Sequence, residues 1–244
     1  MVPRMRLLAL LLASTTWPSI AHAEGSDLAA DAAFTPGVLR AHDGDNTGFV
    51  VAATEFNGAS DRVRLDVLGE VRVYGRVRAI AKVADAFRDV ARPGGGIAVQ
   101  WLDERRHGVA ATAYVFFKTE GFSEPEGELE VTLAFGRRLG PIRAVADVAY
   151  GQDPEGKDRD AELAFAAHVE PRHNLFAGVV ARYRDALGSR GEAGVLRDGF
   201  GGATATLATG RVAVTAQAGV GLVGTAMAGT TVGPAATIAV GASF

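Results

Sequence analysis

Charged residues occur only at even positions over residues 62–83, and this period of two restricts the fold more than any other feature of the sequence. Every odd position from Val63 to Val83 is Val, Leu, Ala or Gly. The even positions carry a series of charges: Arg62, Arg64, Asp66, Glu70, Arg72, Arg76, Arg78 and Lys82. A helix would scatter these charges around its circumference, whereas a strand collects them on one face. The pattern therefore predicts a β-sheet with one charge-free face.

The same alternation returns further along the chain. Apolar residues occupy every second position in 129–135, 163–169, 175–183 and 212–222. The predicted strands that contain these runs, 128–136, 161–169, 175–184 and 211–222, are about 9–12 residues long. A tilted strand that crosses a bilayer needs that length, while strands of soluble proteins are nearer ~5–6 residues. The segments therefore predict an all-β protein whose strands span a membrane.

The links between the predicted strands alternate between short and long. Short links are expected at 103–107, 136–140, 170–174 and 209–211. Longer links are expected at 85–95, 119–127, 151–160, 185–198 and 223–231. This rhythm is typical of an up-and-down antiparallel barrel with short periplasmic turns and longer outer loops.

The start of the chain reads as a secretory signal. Arg4 and Arg6 precede the apolar run 7–13, and Ala21-His22-Ala23 supplies a small-residue cleavage pattern. We expect cleavage after Ala23, which leaves 23 Lys and Arg residues against 28 Asp and Glu. That acidic balance argues against nucleic acid as a partner. The absence of cysteine excludes disulfides and a lipid-anchored cysteine.

The last predicted strand carries the strongest family signal. Its alternate positions are Val232, Ala236, Ile238, Val240, Ala242 and Phe244. A final alternating strand that ends in an aromatic residue resembles the C-terminal strand of bacterial outer-membrane β-barrels. The resemblance implies that Val240, Ala242 and Phe244 form a membrane-insertion signal for the barrel-insertion machinery, with Phe244 on the periplasmic side.

Three regions and two possible strand counts follow. Residues 1–23 are the signal peptide, residues 24–47 a flexible lead-in or small plug, and residues 48–244 the transmembrane β-barrel.

Nine strands are clear: 96–102, 108–118, 128–136, 142–150, 161–169, 175–184, 200–208, 211–222 and 233–244. If 62–84 is one strand the barrel has ten. If 62–84 turns near Tyr74-Gly75, and 48–56 opens the barrel, it has twelve, the count we favour. Both counts are even, as bacterial single-chain barrels prefer.

The charged face of each strand would line the barrel lumen. The proposed lumen-lining residues are Arg72, Arg76, Arg78, Glu128, Glu130, Asp147, Glu162, Arg182 and Arg184. One interpretation is that these charges pair across strands and fill the lumen, because buried charges need partners. The other is that the cationic first strands line a narrow water-filled pore that prefers anions.

Sequence motifs for chemistry are weak. Residues 219–224 match a dinucleotide-binding glycine pattern, but neither the helix nor the acid that the motif requires follows it. Residues 43–48 resemble the start of a calcium loop, yet the twelfth position is Thr54 in place of a glutamate. His168 and Ser243 would both face the lumen, which is not where the membrane-embedded hydrolases of this class place their catalytic groups. We predict no cofactor, no metal site and no enzymatic activity.

The sequence thus predicts an exported bacterial outer-membrane β-barrel that acts as a narrow, anion-preferring channel or as a structural membrane protein. Its expected partners are outer-membrane lipid, the barrel-insertion machinery and small anions. Two alternatives stay open at this point. One is an outer-membrane enzyme, and the other is a soluble secreted lipocalin-like protein, in which the same alternation would put apolar residues inside and charges outside.

Overall fold

Twelve strands and one short helix make up the part of the chain that the computed structural model describes, namely residues 47–86, 91–119, 127–154, 159–187, 195–225 and 229–244. The strands are β1 (Gly48–Asn57), β2 (Arg62–Tyr74), β3 (Val77–Ala84), β4 (Arg92–Leu102), β5 (Ala110–Thr119), β6 (Gly127–Leu139), β7 (Ile142–Gln152), β8 (Arg159–Arg172), β9 (Leu175–Ala186), β10 (Val195–Thr209), β11 (Val212–Thr225) and β12 (Gly229–Ser243). Helix α1 (Glu104–His107) links β4 to β5. Among these residues no helix is long and apolar enough to cross a membrane.

Each strand pairs antiparallel with its neighbours in sequence, and β1 pairs with β12, so the sheet closes into a barrel. The alternative with twelve strands is confirmed, with a hairpin between β2 and β3 and with β1 as the opening strand. The strands extend beyond the predicted bounds at several ends. β12 begins at Gly229 and β11 continues to Thr225, so the long link expected at 223–231 is shorter than predicted.

Tight turns close one end of the barrel. Gly75, Gly140 and Gly210 each take a positive φ, of 53°, 60° and 56°, at the first central position of a two-residue link. That is the arrangement of a type II′ turn, which matches the twist of paired strands and favours glycine there. Most links at the opposite end are longer, up to 187–194 between β9 and β10, and the one long link at the tight-turn end is 103–109, which contains helix α1. Since outer-membrane barrels have short periplasmic turns, the tight-turn end is the periplasmic end.

The outer surface of the barrel is apolar. Its outward-facing side chains include many exposed aliphatic residues, such as Leu163 and Val179, on all sides of the barrel. Soluble proteins rarely expose a continuous apolar surface of this kind, whereas a lipid-facing barrel requires one. The alternative of a soluble barrel with an apolar interior is therefore wrong, because the faces are oriented for lipid.

Aromatic side chains form a belt near each end of the outer surface. Phe56, Phe117, Tyr150 and Tyr183 lie towards the outer loops, while Tyr74, Trp101 and Phe135 lie towards the periplasmic turns. The Tyr150 and Tyr183 hydroxyls donate to Gln152 and Asp185, two residues nearer the outer end. Aromatic residues with a polar tip favour the two membrane interfaces, so the belts mark the limits of the membrane-spanning region.

Terminal residues of the described chain close the seam between β12 and β1. The Phe244 carbonyl oxygen accepts hydrogen bonds from the backbone N–H groups of Thr47 and Gly48, each at 3.0 Å. Phe244 N–H donates to the Gly48 carbonyl at 2.9 Å. Phe244 therefore lies at the periplasmic end, as predicted. The signal peptide and the lead-in or plug fall on residues 1–46, which lie outside the described residues.

Candidate functional site in the barrel lumen

Eight of the nine predicted lumen-lining residues occupy inward-facing strand positions: Arg72, Arg78, Glu128, Glu130, Asp147, Glu162, Arg182 and Arg184. Arg76 is the exception, and its placement in the lumen is wrong. It follows Gly75 in the turn between β2 and β3, where its side chain is exposed. One of its guanidinium N–H groups donates to the Trp101 carbonyl at 3.3 Å. Inward and outward side chains alternate only within a strand. The prediction counted this alternation from residue 62 to residue 83 without a break at the turn, and it therefore put Arg76 in the lumen.

An ion-pair network, here called the Glu55 network, crosses the outer half of the lumen. Glu55 accepts from Arg64 at 3.0 Å and from Arg182 at 3.3 Å, one through each carboxylate oxygen. Arg64 also contacts Asp66 at 3.1 Å, and Arg182 contacts Asp198 at 3.8 Å. Arg182 lies on β9 and Glu55 on β1, with three strands between them. Their contact therefore reaches across the lumen instead of along its wall.

A second network, the Glu128 network, lies at the same end. Glu128 on β6 lies 3.9 Å from Lys118 Nζ on β5 and 4.0 Å from Arg184 Nη2 on β9. Lys118 also binds Glu130, and Arg184 binds Asp160. β7 and β8 separate β6 from β9. The two networks therefore link three separated parts of the wall, β1–β2, β5–β6 and β8–β10, by side chains that project into the lumen.

Charges near the periplasmic end form a smaller group. Arg78 and Glu70 are both buried and lie 3.3 Å apart. Arg143 places its guanidinium over the Phe176 ring, 5.3 Å from the ring centre, which is a cation–π geometry. Arg72 completes the group, which holds three arginines and one carboxylate, while Asp147 faces inward from the middle of β7. The two outer networks hold six carboxylates and four cations, so the lumen as a whole is not cation-lined. Only its periplasmic part has an excess of positive charge.

Apolar and aromatic side chains occupy the middle of the lumen wall, which the sequence analysis did not identify. Tyr114 and Phe116 face inward from β5, with ring centres 5.9 Å apart and rings nearly parallel. Ile80, Ala98 and Ala134 pack in the same buried cluster. Strand parity could have placed Tyr114 and Phe116, because they alternate with the outward-facing Val115 and Phe117. A patch of low polarity thus covers the β3–β6 side of the lumen, whereas the β10–β12 side carries the buried polar residues Thr204, Thr206, Thr215, Gln217 and Thr237.

His168 and Ser243 face inward, as predicted, and both are buried. His168 lies on β8, which pairs with β7 and β9, and Ser243 lies on β12, which pairs with β11 and β1. A nucleophile and its base must lie within hydrogen-bond reach. The fold does not bring these two residues onto adjacent strands, so this pair gives no support to a hydrolase.

No protein-family model and no curated protein matches the sequence. Among solved structures, the chain is similar to the NanC porin, with a TM-score of 0.56 and 7% identity, over 80% of this chain and 100% of that chain. It also matches the outer membrane channel DcaP of Acinetobacter baumannii, with a TM-score of 0.39 and 9% identity, over 82% of this chain and 96% of that chain. The likeness to the NanC porin shows a shared barrel fold.

A closed antiparallel barrel with an apolar exterior, two aromatic belts and a charged interior defines the class of transmembrane β-barrels of the outer-membrane type. The chain has this fold, with twelve strands. The bacterial outer membrane is the location that this class implies.

Proposed function

We propose that the protein is a narrow channel for small solutes in the bacterial outer membrane, constricted in its outer half by the Glu55 and Glu128 networks. The observation that carries this proposal is the pair of charged networks inside a closed twelve-stranded barrel. Eight strands already give an interior that side chains just fill, and the interior widens with strand number. Twelve strands therefore leave more room than wall side chains of ordinary size occupy.

The networks set the width of the proposed pore. Because Arg182 reaches Glu55 on a distant strand, and Arg184 reaches Glu128, these side chains cross the path of a solute. Pairing offsets part of the cost of keeping these charges away from bulk water. The sequence analysis left two interpretations open, charges that pair and fill the lumen or charges that line a pore. In the proposed channel both hold, because the paired charges narrow the pore and also line it.

Ion preference in the proposed channel comes from the periplasmic part. Arg72, Arg78 and Arg143 outnumber Glu70 there, and fixed charges in a narrow pore favour ions of opposite sign. The outer networks contain more carboxylates than cations and work against this effect. We therefore expect a modest anion preference, weaker than a lumen lined by cations throughout would give.

Single-channel recordings in planar bilayers test the proposed channel. Replacing both partners of the crossing pair, with Arg182→Ala and Glu55→Ala, should raise the conductance because the side chains that narrow the path are removed. The matched control is the pair Arg197→Ala and Asp185→Ala, which removes an exposed ion pair of 3.6 Å on outward-facing positions of β9 and β10. The control should conduct like the unchanged protein. Equal conductance in all three proteins would contradict the constriction, and no conductance in any of them would contradict the channel.

Reversal potentials in a salt gradient test the ion preference. Arg72→Gln should shift the preference towards cations, because Arg72 faces the lumen near its periplasmic opening. Arg76→Gln, only four residues away but in the exposed turn, should leave the preference unchanged. A shift of equal size in both variants would show that surface charge sets the preference and that the lumen does not.

A further inference from the structure

Arginine occurs in or directly beside every turn of the periplasmic end. The five links between consecutive strands at this end, together with the strand ends that flank them, carry the residues that we call the rim arginines: Arg76, Arg105, Arg106, Arg137, Arg138, Arg172 and Arg211. All are exposed except Arg211, which is half-buried. Since the turns follow one another around the barrel, the rim arginines form a positively charged ring.

Three carboxylates at this end, Asp103, Glu104 and Glu170, lower the net charge of the ring, but they bind backbone groups and form no ion pair with a rim arginine. Asp103 caps helix α1 and accepts from the Arg105 backbone N–H at 2.9 Å. Glu104 accepts from the backbone N–H of Arg138, and Glu170 accepts from the backbone N–H of Asn174. In the described part of the chain, no carboxylate lies within 4.0 Å of a rim guanidinium group.

The ring borders the periplasmic aromatic belt. Trp101 and Phe135 meet edge to face, with ring centres 6.4 Å apart. Arg137 lies two residues beyond Phe135 on the same outward face, and Arg76 binds the Trp101 carbonyl. Aromatic belts mark the level of the lipid headgroups. The rim arginines therefore lie where the phosphates of the periplasmic leaflet lie.

We propose that the rim arginines bind the phosphate groups of anionic phospholipids in the periplasmic leaflet, and so anchor this end of the barrel. Guanidinium groups bind phosphate through paired, charge-assisted hydrogen bonds, and several cations close together attract anionic lipid more strongly than one. A lipid is the occupant, and not a soluble anion, because the ring borders the lipid-facing belt. This proposal concerns the outside of the barrel and does not depend on the proposed channel.

The sequence has two tryptophans, Trp17 and Trp101, and Trp17 lies in the predicted signal peptide, so Trp101 alone can report the bound lipid in the cleaved protein. The protein is placed in phosphatidylcholine vesicles that contain equal fractions of either brominated phosphatidylglycerol or brominated phosphatidylcholine, and quenching of Trp101 fluorescence is measured. We expect a relative binding constant for phosphatidylglycerol roughly five-fold above that for phosphatidylcholine, which corresponds to about 1 kcal/mol, the contribution of one cation near an anionic surface. High salt should reduce this preference.

Two triple variants make the test specific. Arg76→Gln, Arg105→Gln and Arg137→Gln together remove the charges nearest Trp101 and should abolish the preference. Arg62→Gln, Arg159→Gln and Arg197→Gln remove exposed arginines at the outer end and should leave it unchanged. Faster migration of unboiled protein on SDS gels checks that each variant is folded. Equal quenching by the two lipids in the unchanged protein, or a preference that survives in the first variant, would overturn the proposal in favour of another periplasmic anion or of no ligand.

Discussion

Gly201 and Gly202 are adjacent on β10, yet their surroundings differ completely. Gly201 faces outward, and a Cβ atom added there meets no atom within 4 Å. Gly202 faces the lumen opposite Gly219, and a Cβ atom there would lie 2.4 Å from the Ala218 carbonyl oxygen. The backbones of β10 and β11 therefore approach too closely at this point for any side chain. The sequence alone shows two adjacent glycines and does not distinguish their surroundings.

This contrast predicts that the same substitution has a large effect at one position and almost none at the other. Gly202→Ala should lower the free energy of unfolding by about 1–3 kcal/mol, because the new methyl group must push the strands apart. Gly201→Ala should change it by less than about 0.5 kcal/mol. Urea unfolding in lipid vesicles, followed by Trp101 fluorescence, measures both. Similar values for the two variants would show that the close approach of β10 and β11 is not a constraint.

At the scale of elements, β12 both closes the barrel and carries the predicted insertion signal. Val240 and Ala242 are on its outward side, and Phe244 binds the start of β1 through its backbone. The Phe244 ring is exposed and contributes to no buried cluster among the described residues. The backbone of Phe244 therefore helps to close the barrel, while its side chain stays accessible to the insertion machinery.

Replacing the ring should therefore affect assembly in the cell more than stability. Phe244→Ala should reduce the amount of heat-modifiable barrel in the outer membrane, since the insertion machinery would lose its signal. The purified variant should fold into vesicles with the yield of the unchanged protein, which needs no machinery. Leu207→Ala, another exposed apolar residue near the periplasmic end, is the control and should assemble normally. A defect of Phe244→Ala in purified vesicles as well would assign the ring to folding and not to recognition.

For the molecule as a whole, the depth of an outward-facing residue in the membrane decides how much a charge at that position costs. Val179 lies in the middle of β9, and Leu207 lies close to the turn at the end of β10. Both side chains are exposed to the same degree, at 55% and 58%. In water the two positions would be equivalent, whereas in a bilayer only Val179 lies deep in hydrocarbon.

An arginine at each position should reveal this difference. Val179→Arg should cost about 2–4 kcal/mol of folding free energy, and Leu207→Arg about 0–1 kcal/mol, as charges at the midplane and near the interface do in other barrels. Unfolding by urea in vesicles measures the two values. Equal costs would mean that the barrel does not span the bilayer with its apolar face.

Much of this architecture follows from the sequence alone, because the direction of a strand side chain depends only on its position along that strand. Alternation therefore identified the lipid face and the lumen face, and the glycine after Tyr74 indicated the hairpin that makes twelve strands. Arg76 shows the limit of this reasoning, since a parity count is valid only within one strand. The nine clear strands were placed correctly, but several of their ends were set too short.

Contacts inside the lumen depend on tertiary structure. Arg182 and Glu55 are 127 residues apart, and they meet only because the barrel closes between β12 and β1. The register of each strand pair then decides which inward residues share a level, and a shift of one residue would reverse every face. The sequence by itself determined the faces of the strands and the direction of the barrel. Only closure and register decided that the lumen charges pair across the pore, because that pairing joins strands that are distant in the chain.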